Sequence, residues 1–347
     1  MQKGITATPI ASIDESNFKI KGQRILILWN RSYKNMGDEL ILLWTIRLLQ
    51  KQGKDVVISA YNPKRIASFF SQFTDLKPIT YLHEFPKGIR SFLKYFFTKR
   101  KNELEQYKNI DAIIIWWGEI LTEESKNSYR YRNIALLPIF KKLEHTPIYL
   151  MGGIQIPQKN NNLKLFKRLL SKTEHIYARD LESVENLKNF WYKNVSFFMD
   201  TSRFAYQRES IQKNCKKENK IALINLNKNW EKFFEDLLIE CENLLSSWYT
   251  IKYVPISKWD NDTYNDIIFK EELEKKLLTH FETIDREKNF KNFLEEVKNS
   301  NIIITSRLHF FLIASYLWVK TKVYPYQMKI LKMKKIIQDY WILDSII

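Results

Sequence analysis

Residues 302–316 read Ile302-Ile-Ile-Thr-Ser-Arg307-Leu-His309-Phe-Phe-Leu-Ile-Ala-Ser-Tyr316, the pattern of a buried strand that runs directly into an apolar helix. The turn between them carries Arg307 and His309. Open α/β sheets bind ligands at the carboxyl ends of their strands, and a helix N-terminus favours anions through its N–H groups and dipole. A guanidinium and a titratable imidazole at this turn indicate anion chemistry, but the two residues also fit an ordinary polar helix start.

Runs of β-branched and aromatic residues alternate with helical periods along the rest of the chain. Continuous apolar strands separated by helices are typical of parallel sheets that are buried on both faces. The sequence therefore predicts an α/β fold with two doubly wound, Rossmann-like domains facing each other across a cleft, a GT-B-like arrangement. The candidate strands are 24–29, 56–61, 112–117, 147–151, 175–179, 195–200, 221–226, 249–254, 302–305 and 322–326.

A polar segment interrupts this alternation and divides the chain. We expect residues 1–206 to form an N-terminal domain on the acceptor side, 207–220 to be a linker, and 221–347 to form a C-terminal domain on the donor side. A return of the last helix to the N-terminal domain is left open. No Walker loop or Gly-x-Gly-x-x-Gly is present and only 8 of 347 residues are glycine, which argues against P-loop and dinucleotide enzymes.

The composition excludes several further classes. The 2 cysteines, Cys215 and Cys241, have no metal-ligand spacing, so we expect no disulfide framework and no zinc site. No other metal-ligand cluster is recognisable in the sequence, and we expect no metal or cofactor. The first 17 residues do not resemble a secretory signal, and no run of about 18 apolar residues occurs, which predicts a cytoplasmic protein. The net charge of +17 indicates an anionic partner or a codon bias toward lysine; no nucleic-acid motif is present, so nucleic acid is not the expected partner.

Part of the positive charge is clustered in residues 87–101. Six basic residues there alternate with Ile89, Leu93 and three phenylalanines at helical spacing, which predicts a basic amphipathic helix. Such a helix is suited to peripheral contact with the inner face of an anionic membrane. An ordinary surface helix packed on its own domain fits the same pattern.

The first predicted strand leads into a polar loop that opens a long helix. Asn35 or Asp38 can cap the helix N-terminus, and Gly53 can end the helix in a left-handed conformation. Alternatively, Asn35 and Asp38 face the cleft and bind hydroxyl groups of an acceptor. Glu119, which follows another strand, is a candidate base for an acceptor hydroxyl or a second helix cap.

Seven short motifs occur in an order that resembles the polysaccharide pyruvyl transferase family. The resemblance spans residues 24–329, and its most specific element is Arg-Leu-His followed by Tyr-x-x-Lys. The chain departs from the family pattern at 116–119, 151–157 and 200–204, so the resemblance does not specify the acceptor. The motifs are Asn35-Met-Gly-Asp-Glu39, Trp117-Gly-Glu119, Met151-Gly-Gly-Ile-Gln-Ile-Pro157, Tyr177-Ala-Arg179-Asp-Leu-Glu-Ser183, Asp200, Ser306-Arg-Leu-His309 and Tyr326-Gln-Met-Lys329.

The resemblance implies a GT-B-like enzyme that moves an enolpyruvyl-derived unit from phosphoenolpyruvate to a sugar, where it closes as a pyruvate ketal. The acceptor is then a cell-surface polysaccharide precursor, with a lipid-linked sugar as one possibility. By the same resemblance, Arg179, Arg307 and His309 match the family's donor-binding residues, and Lys329 matches its later lysine. Leu308, between Arg307 and His309, is assigned to the donor as well. The alternative is a GT-B-type glycosyltransferase that uses a nucleotide sugar.

The donor's chemistry supports these assignments independently. Phosphoenolpyruvate carries a carboxylate and a phosphate, and arginine suits both because its planar fork donates two parallel hydrogen bonds. Lys329 provides a compact charge for the phosphate. Attack by a hydroxyl requires a proton on the methylene carbon, and His309 is the best general acid because imidazole titrates near neutral pH.

Overall fold

The chain folds into two compact units, each built on a parallel sheet. The computed structural model describes residues 17–28, 35–84, 105–117, 139, 141–198, 220–226, 233–258, 265–317 and 319–324. Among these, 17–28 and 42–198 belong to one unit, called here the amino-terminal unit. Residues 35–41 and 220–324 belong to the other, the carboxy-terminal unit.

A seven-stranded parallel sheet forms the centre of the amino-terminal unit, in the order β3-β2-β1-β4-β5-β6-β7. Its inner strands are nearly continuous apolar runs, as expected for strands covered on both faces. Its strands are β1 (Arg24–Leu28), β2 (Asp55–Ala60), β3 (Thr80–His83), β4 (Ala112–Trp117), β5 (Ile148–Gly152), β6 (Thr173–Ala178) and β7 (Val195–Phe197). The helices described in this unit are α2 (Pro63–Phe70), α3 (Asn160–Leu170) and α4 (Leu181–Asn189), together with most of α1 (Met36–Lys51).

The carboxy-terminal unit contains a five-stranded parallel sheet in the order β10-β9-β8-β11-β12. Strand β11 runs beside both β8 and β12, and Ile303 and Ile304 at its centre are fully buried. The strands are β8 (Ile221–Asn225), β9 (Thr250–Tyr253), β10 (Glu282–Thr283), β11 (Ile302–Thr305) and β12 (Lys320–Val323). The helices are α5 (Phe234–Ser246), α6 (Ile267–Leu277), α7 (Phe290–Asn299) and α8 (Leu308–Tyr316).

In both sheets the strand order reverses beside the first strand of the unit, at β1/β4 and at β8/β11. This reversal is the signature of a doubly wound sheet, and ligands of such sheets bind where it occurs. The predicted α/β class with two Rossmann-like domains is confirmed. The predicted linker falls almost wholly outside the described residues, as do the segment 87–101 and everything after residue 324. No helix in the described part of the chain is long and apolar enough to span a membrane.

The first turn of α1 is part of the carboxy-terminal unit. The Met36 N–H donates to the Ile256 carbonyl at 3.2 Å, and Asn35 forms an antiparallel bridge with Ser257. Arg286 donates to Glu39 Oε2 at 2.6 Å, and both side chains are completely buried. The start of this helix is therefore attached to the loops at the carboxyl edge of the five-stranded sheet.

Removing one partner of the buried Glu39–Arg286 pair should destabilise the protein. Replacing Glu39 with leucine removes the nearer counter-charge of the buried Arg286 guanidinium and leaves the Glu287 carboxylate at 3.8 Å. Breaking a buried pair by removing one partner typically costs about 3–5 kcal/mol. We expect the urea midpoint to fall accordingly. The double variant Glu39→Leu, Arg286→Met removes both charges and should recover most of the loss. A single variant as stable as the unaltered protein would show that the pair does not hold α1.

Candidate functional site

The switch point of the five-stranded sheet brings together the ends of β8 and β11. Asn225 ends β8, and Thr305 and Ser306 lie at the end of β11; all three are completely buried. The chain then continues through Arg307 in an extended conformation, with φ −99° and ψ 123°, and enters α8 at Leu308. The predicted turn with its arginine and histidine thus lies where a doubly wound sheet binds ligands.

The N-terminus of α8 suits a negatively charged group. Arg307 occupies the N-cap position, where its side chain makes no capping hydrogen bond, and the first turn contains no acidic residue. The Arg307 N–H donates instead to Thr305 Oγ1 at 2.9 Å, which fixes the turn. The positive end of the helix dipole therefore adjoins a guanidinium and an imidazole.

A buried carboxylate, Asp266, lies against Arg307. Its Oδ1 accepts a short hydrogen bond from Arg307, whose side chain is 15% exposed. Its Oδ2 accepts from the backbone N–H groups of Ile256 and Ser257, each at 3.0 Å, and from Asn225 Nδ2 at 2.9 Å. Four donors converge on a side chain that is completely buried.

Tyr253 supports Asp266 from the centre of the sheet. Its hydroxyl donates to the Asp266 carbonyl at 2.6 Å. Complete burial raises the pKa of Tyr253 well above its usual value, and the nearby Asp266 carboxylate adds to this effect. The hydroxyl therefore remains a hydrogen-bond donor at any physiological pH.

The start of α1 packs directly on His309. A Cβ atom added to Gly37 would lie 1.9 Å from His309 Nδ1 and 2.3 Å from Cε1, so only a glycine allows the imidazole this position. The Gly37 N–H donates to Asn35 Oδ1 at 3.0 Å, which closes a local turn at the helix start. Gly37 and His309 belong to one site, although they lie far apart in the sequence.

Arg179 has a defined place in the amino-terminal unit. It follows β6, and its N–H donates to the Gly152 carbonyl at the end of β5 at 3.1 Å. Its Nε would be 2.7 Å from a Cβ atom at Gly153, so the guanidinium lies against that glycine. Asp180 caps α4 by accepting from the Ser183 N–H at 2.7 Å, which accounts for this aspartate structurally.

The remaining predicted residues divide into two groups. Asn35 and Asp38 are half-buried in the carboxy-terminal unit, the same unit as Arg307, Leu308 and His309. The Asn35 side chain forms the turn to Gly37, as the capping interpretation expects. Glu119 and Lys329 lie outside the described residues. Within the described ranges, no group of three or more histidine, cysteine or acidic side chains is arranged to hold a metal ion.

The sequence matches the family model described as polysaccharide pyruvyl transferase over residues 35–317. The chain belongs to the polysaccharide pyruvyl transferase family. The matched region begins at the Asn35 turn and ends just after α8, so it includes every site element described above. Membership of this family makes the chain a transferase of polysaccharide biosynthesis. A search of curated proteins finds no match.

Solved structures similar to this family member share its fold. The UDP-GlcNAc 2-epimerase of Methanocaldococcus jannaschii has a TM-score of 0.58 at 11% identity, with 94% of this chain and 88% of that chain covered. The Neisseria meningitidis enzyme bound to UDP-GlcNAc has a TM-score of 0.56 at 12% identity, with 94% and 95% covered. A Rickettsia africae glycosyltransferase has a TM-score of 0.52 at 12% identity, with 88% and 79% covered. At such identities the likeness establishes the fold only.

Sequence reasoning missed supporting residues of the site, among them Asn225 and Asp266, and one contact within it. Asn225 carried a usable signal, because a polar residue at the end of an apolar strand beside the switch point is a candidate ligand or support. No comparable sequence signal marks Asp266, because its segment has the pattern of an ordinary helix start. Gly37 and His309 occur in two separate motifs of the family resemblance, but their contact depends on the tertiary fold and no local pattern indicates it.

Gly37→Ala should displace the His309 imidazole. Alanine favours a helix by about 1 kcal/mol over glycine, yet overpacking typically costs about 1–3 kcal/mol, so we expect no gain in stability. The imidazole NMR signals of His309 should shift, because its ring cannot keep its position.

Gly53→Ala is the matched control at the other end of α1. Gly53 has a φ of +74° and no atom within 4 Å of an added Cβ, so its replacement strains the backbone without a clash. It should lower stability and leave the His309 signals unchanged. Unchanged signals in Gly37→Ala would contradict the packing.

Proposed function

We propose that this transferase moves an enolpyruvyl-derived unit from phosphoenolpyruvate to two hydroxyls of a sugar in a cell-surface polysaccharide precursor, forming a pyruvate ketal. One observation carries the proposal: Arg307 and His309 adjoin the N-terminus of α8 at the switch point of a sheet. The site needs a small anionic donor, and phosphoenolpyruvate is the anionic donor that pyruvyl transfer implies.

The charges around this site explain why the donor needs residues from elsewhere. Three cations near the carboxyl edge are paired with carboxylates: Arg307 with Asp266, Arg286 with Glu39, and Lys258 with Asp285 at 2.9 Å. The opposite charges within each pair nearly cancel, whereas phosphoenolpyruvate carries close to three negative charges. The proposal therefore assigns Arg179 to the donor carboxylate or phosphate and Lys329 to the phosphate, in addition to Arg307.

His309 is the proton donor in the proposed transfer. The imidazolium gives its proton to the methylene carbon, which becomes a methyl group, while a sugar hydroxyl forms a bond to the neighbouring carbon. Loss of phosphate and attack by the second hydroxyl then close the ketal, and the two hydroxyl protons pass to the imidazole and to phosphate. Gly37 leaves room for the imidazole at the start of α1, and Leu308, which is 7% exposed, contributes backbone at the N-terminus of α8.

The acceptor hydroxyls are assigned to residues at the start of α1 and to Glu119. Asn35 and Asp38 flank Gly37, which packs on His309, and a hydroxyl bound to them would be near the proposed general acid. Glu119 remains a proposed acceptor residue. A lipid-linked acceptor and contact of residues 87–101 with the inner membrane face stay predictions, because that segment lies outside the described residues.

The proposal predicts that phosphoenolpyruvate binds and that His309 is needed for turnover rather than for donor affinity. We expect His309→Gln to bind phosphoenolpyruvate in calorimetry about as well as the unaltered protein. Its release of phosphate in the presence of lipid-linked sugars should fall about 10²–10⁴-fold, since a general acid is lost.

His175→Gln provides a matched control. His175 is a half-buried histidine in β6 whose Nε2 contacts Ser196 Oγ at 2.9 Å, and its replacement should leave turnover unchanged. Normal turnover by His309→Gln would remove the assigned role. Tight binding of a nucleotide sugar, without binding of phosphoenolpyruvate, would favour the glycosyltransferase instead.

Arg179 can be tested through the glycine beside it. In Gly153→Ala, the new methyl group meets the flexible end of Arg179 at 2.7 Å, so we expect the guanidinium to move while the fold is retained. Affinity for phosphoenolpyruvate should fall about 10-fold, as for loss of a charge-assisted hydrogen bond.

Arg179→Lys keeps the charge but loses the planar fork and should weaken binding in the same direction. Calorimetry and urea unfolding on both variants separate affinity from stability. If both bind phosphoenolpyruvate as tightly as the unaltered protein, Arg179 does not belong to the donor site.

A further inference from the structure

We propose that Asp266 is a positioning residue that fixes the direction of the Arg307 guanidinium for donor binding. This inference rests on the proposed function, because it concerns the same donor site. Asp266 has no place in the sequence motifs that identify the family, and its role follows from the hydrogen bonds around it.

The carboxylate of Asp266 is held in one orientation. Two successive backbone N–H groups, of Ile256 and Ser257, and the Asn225 amide all donate to Oδ2. Oδ1 is left to receive Arg307. Each carboxylate oxygen has about two lone-pair positions, so the three donors on Oδ2 occupy it fully and oppose rotation of the group.

The backbone of Asp266 is fixed as well. Its N–H donates to the Ser257 carbonyl at 2.9 Å, and its carbonyl accepts from Tyr253 at 2.6 Å. Asn225 in turn donates to the Val254 carbonyl at 2.8 Å, which connects this support to β9. The position of Oδ1 is therefore set by the central strands of the sheet.

The Asp266 side chain does not cap α6, the helix that it precedes. It occupies the N-cap position of α6, where an aspartate normally accepts a hydrogen bond from the first turn, but its side chain makes no such bond. Asn265 Oδ1 accepts from the Ile267 N–H at 3.1 Å instead. The carboxylate points away from the helix and toward the switch point, so helix capping does not account for it.

Positioning matters because the guanidinium is planar and its N–H groups have fixed directions. A rigid acceptor on one amino group determines the plane in which the other donors lie. An arginine held in this way loses less conformational freedom when an anion binds, which is the general benefit of preorganisation.

Positioning and simple attraction predict opposite effects, which makes the proposal testable. Asp266→Asn removes a negative charge beside Arg307, so attraction alone predicts tighter binding of phosphoenolpyruvate. Positioning predicts weaker binding, because the fixed carboxylate acceptor is lost. We expect the Kd measured by calorimetry to rise about 10-fold, the effect of a displaced charge-assisted hydrogen bond.

A double-mutant cycle separates positioning from a general structural role. In an Arg307→Met background no guanidinium remains to be positioned, so adding Asp266→Asn should change the Kd less than about 2-fold. Asp266→Glu is the second variant, to be used if asparagine is not tolerated. It keeps the charge but moves the carboxylate by one methylene group, and it should also weaken binding.

The matched control is Asp75→Asn in the amino-terminal unit. It breaks the pair in which Arg47 donates two hydrogen bonds of 3.0 Å to Asp75, and it should lower stability without changing the Kd. Unaltered protein that binds no phosphoenolpyruvate would end both the proposed function and this inference. If the unaltered protein does bind phosphoenolpyruvate, two results would overturn the positioning role alone. The first is that the Asp266 variants bind phosphoenolpyruvate as tightly as the unaltered protein or more tightly. The second is that Asp266→Asn changes the Kd as much in the Arg307→Met background as it does by itself.

Discussion

A completely buried charge pair, Glu39 with Arg286, holds the first turn of α1 on the carboxyl edge of the five-stranded sheet. Taking two charges out of water is costly, and the cost is offset only where geometry and additional hydrogen bonds are good. Here the contact is 2.6 Å, and Arg286 also donates to the Ile256 carbonyl at 3.2 Å. This attachment brings Gly37 against the His309 imidazole, so the proposed proton donor depends on a distant part of the sequence.

The charged side chains at the carboxyl edge of the five-stranded sheet are held in fixed directions. Its cations are held by carboxylates, and this arrangement reduces the net attraction for an anion while fixing the direction of each donor. Hydrogen bonds weaken steeply when misaligned, so donors that are held in fixed directions distinguish between anions by shape. The arrangement favours a ligand of defined shape over anions in general.

Much of the fold could be predicted from the sequence, because buried parallel strands are continuous apolar runs. Strands such as β4 and β11 were therefore recognisable, and the turn at Arg307 was correctly placed between a strand and a helix. The two missed strands, β3 and β10, lie at sheet edges and are half-exposed or exposed, so neither is a continuous apolar run.

The candidate site was only partly predictable for a different reason. Arg307 and His309 lie together in a short motif, so local sequence identifies them. Asp266 and Gly37 join them only through the tertiary fold, and the burial of Asp266 is invisible in a segment rich in polar residues. The sequence therefore pointed to the groups that are proposed to bind the donor and missed those that are proposed to orient them.

The outer strands of both sheets have a consequence for association between chains. Among the described residues, β10 has two residues, β7 three, and β3 and β12 four each, so each outer strand presents only a short row of backbone donors and acceptors. β10 carries Glu282, and β12 begins with the exposed Lys320. Short, charged borders give a foreign strand little to pair with. The long apolar strands are confined to the interior of each sheet, which protects this lysine-rich protein against edge-to-edge aggregation.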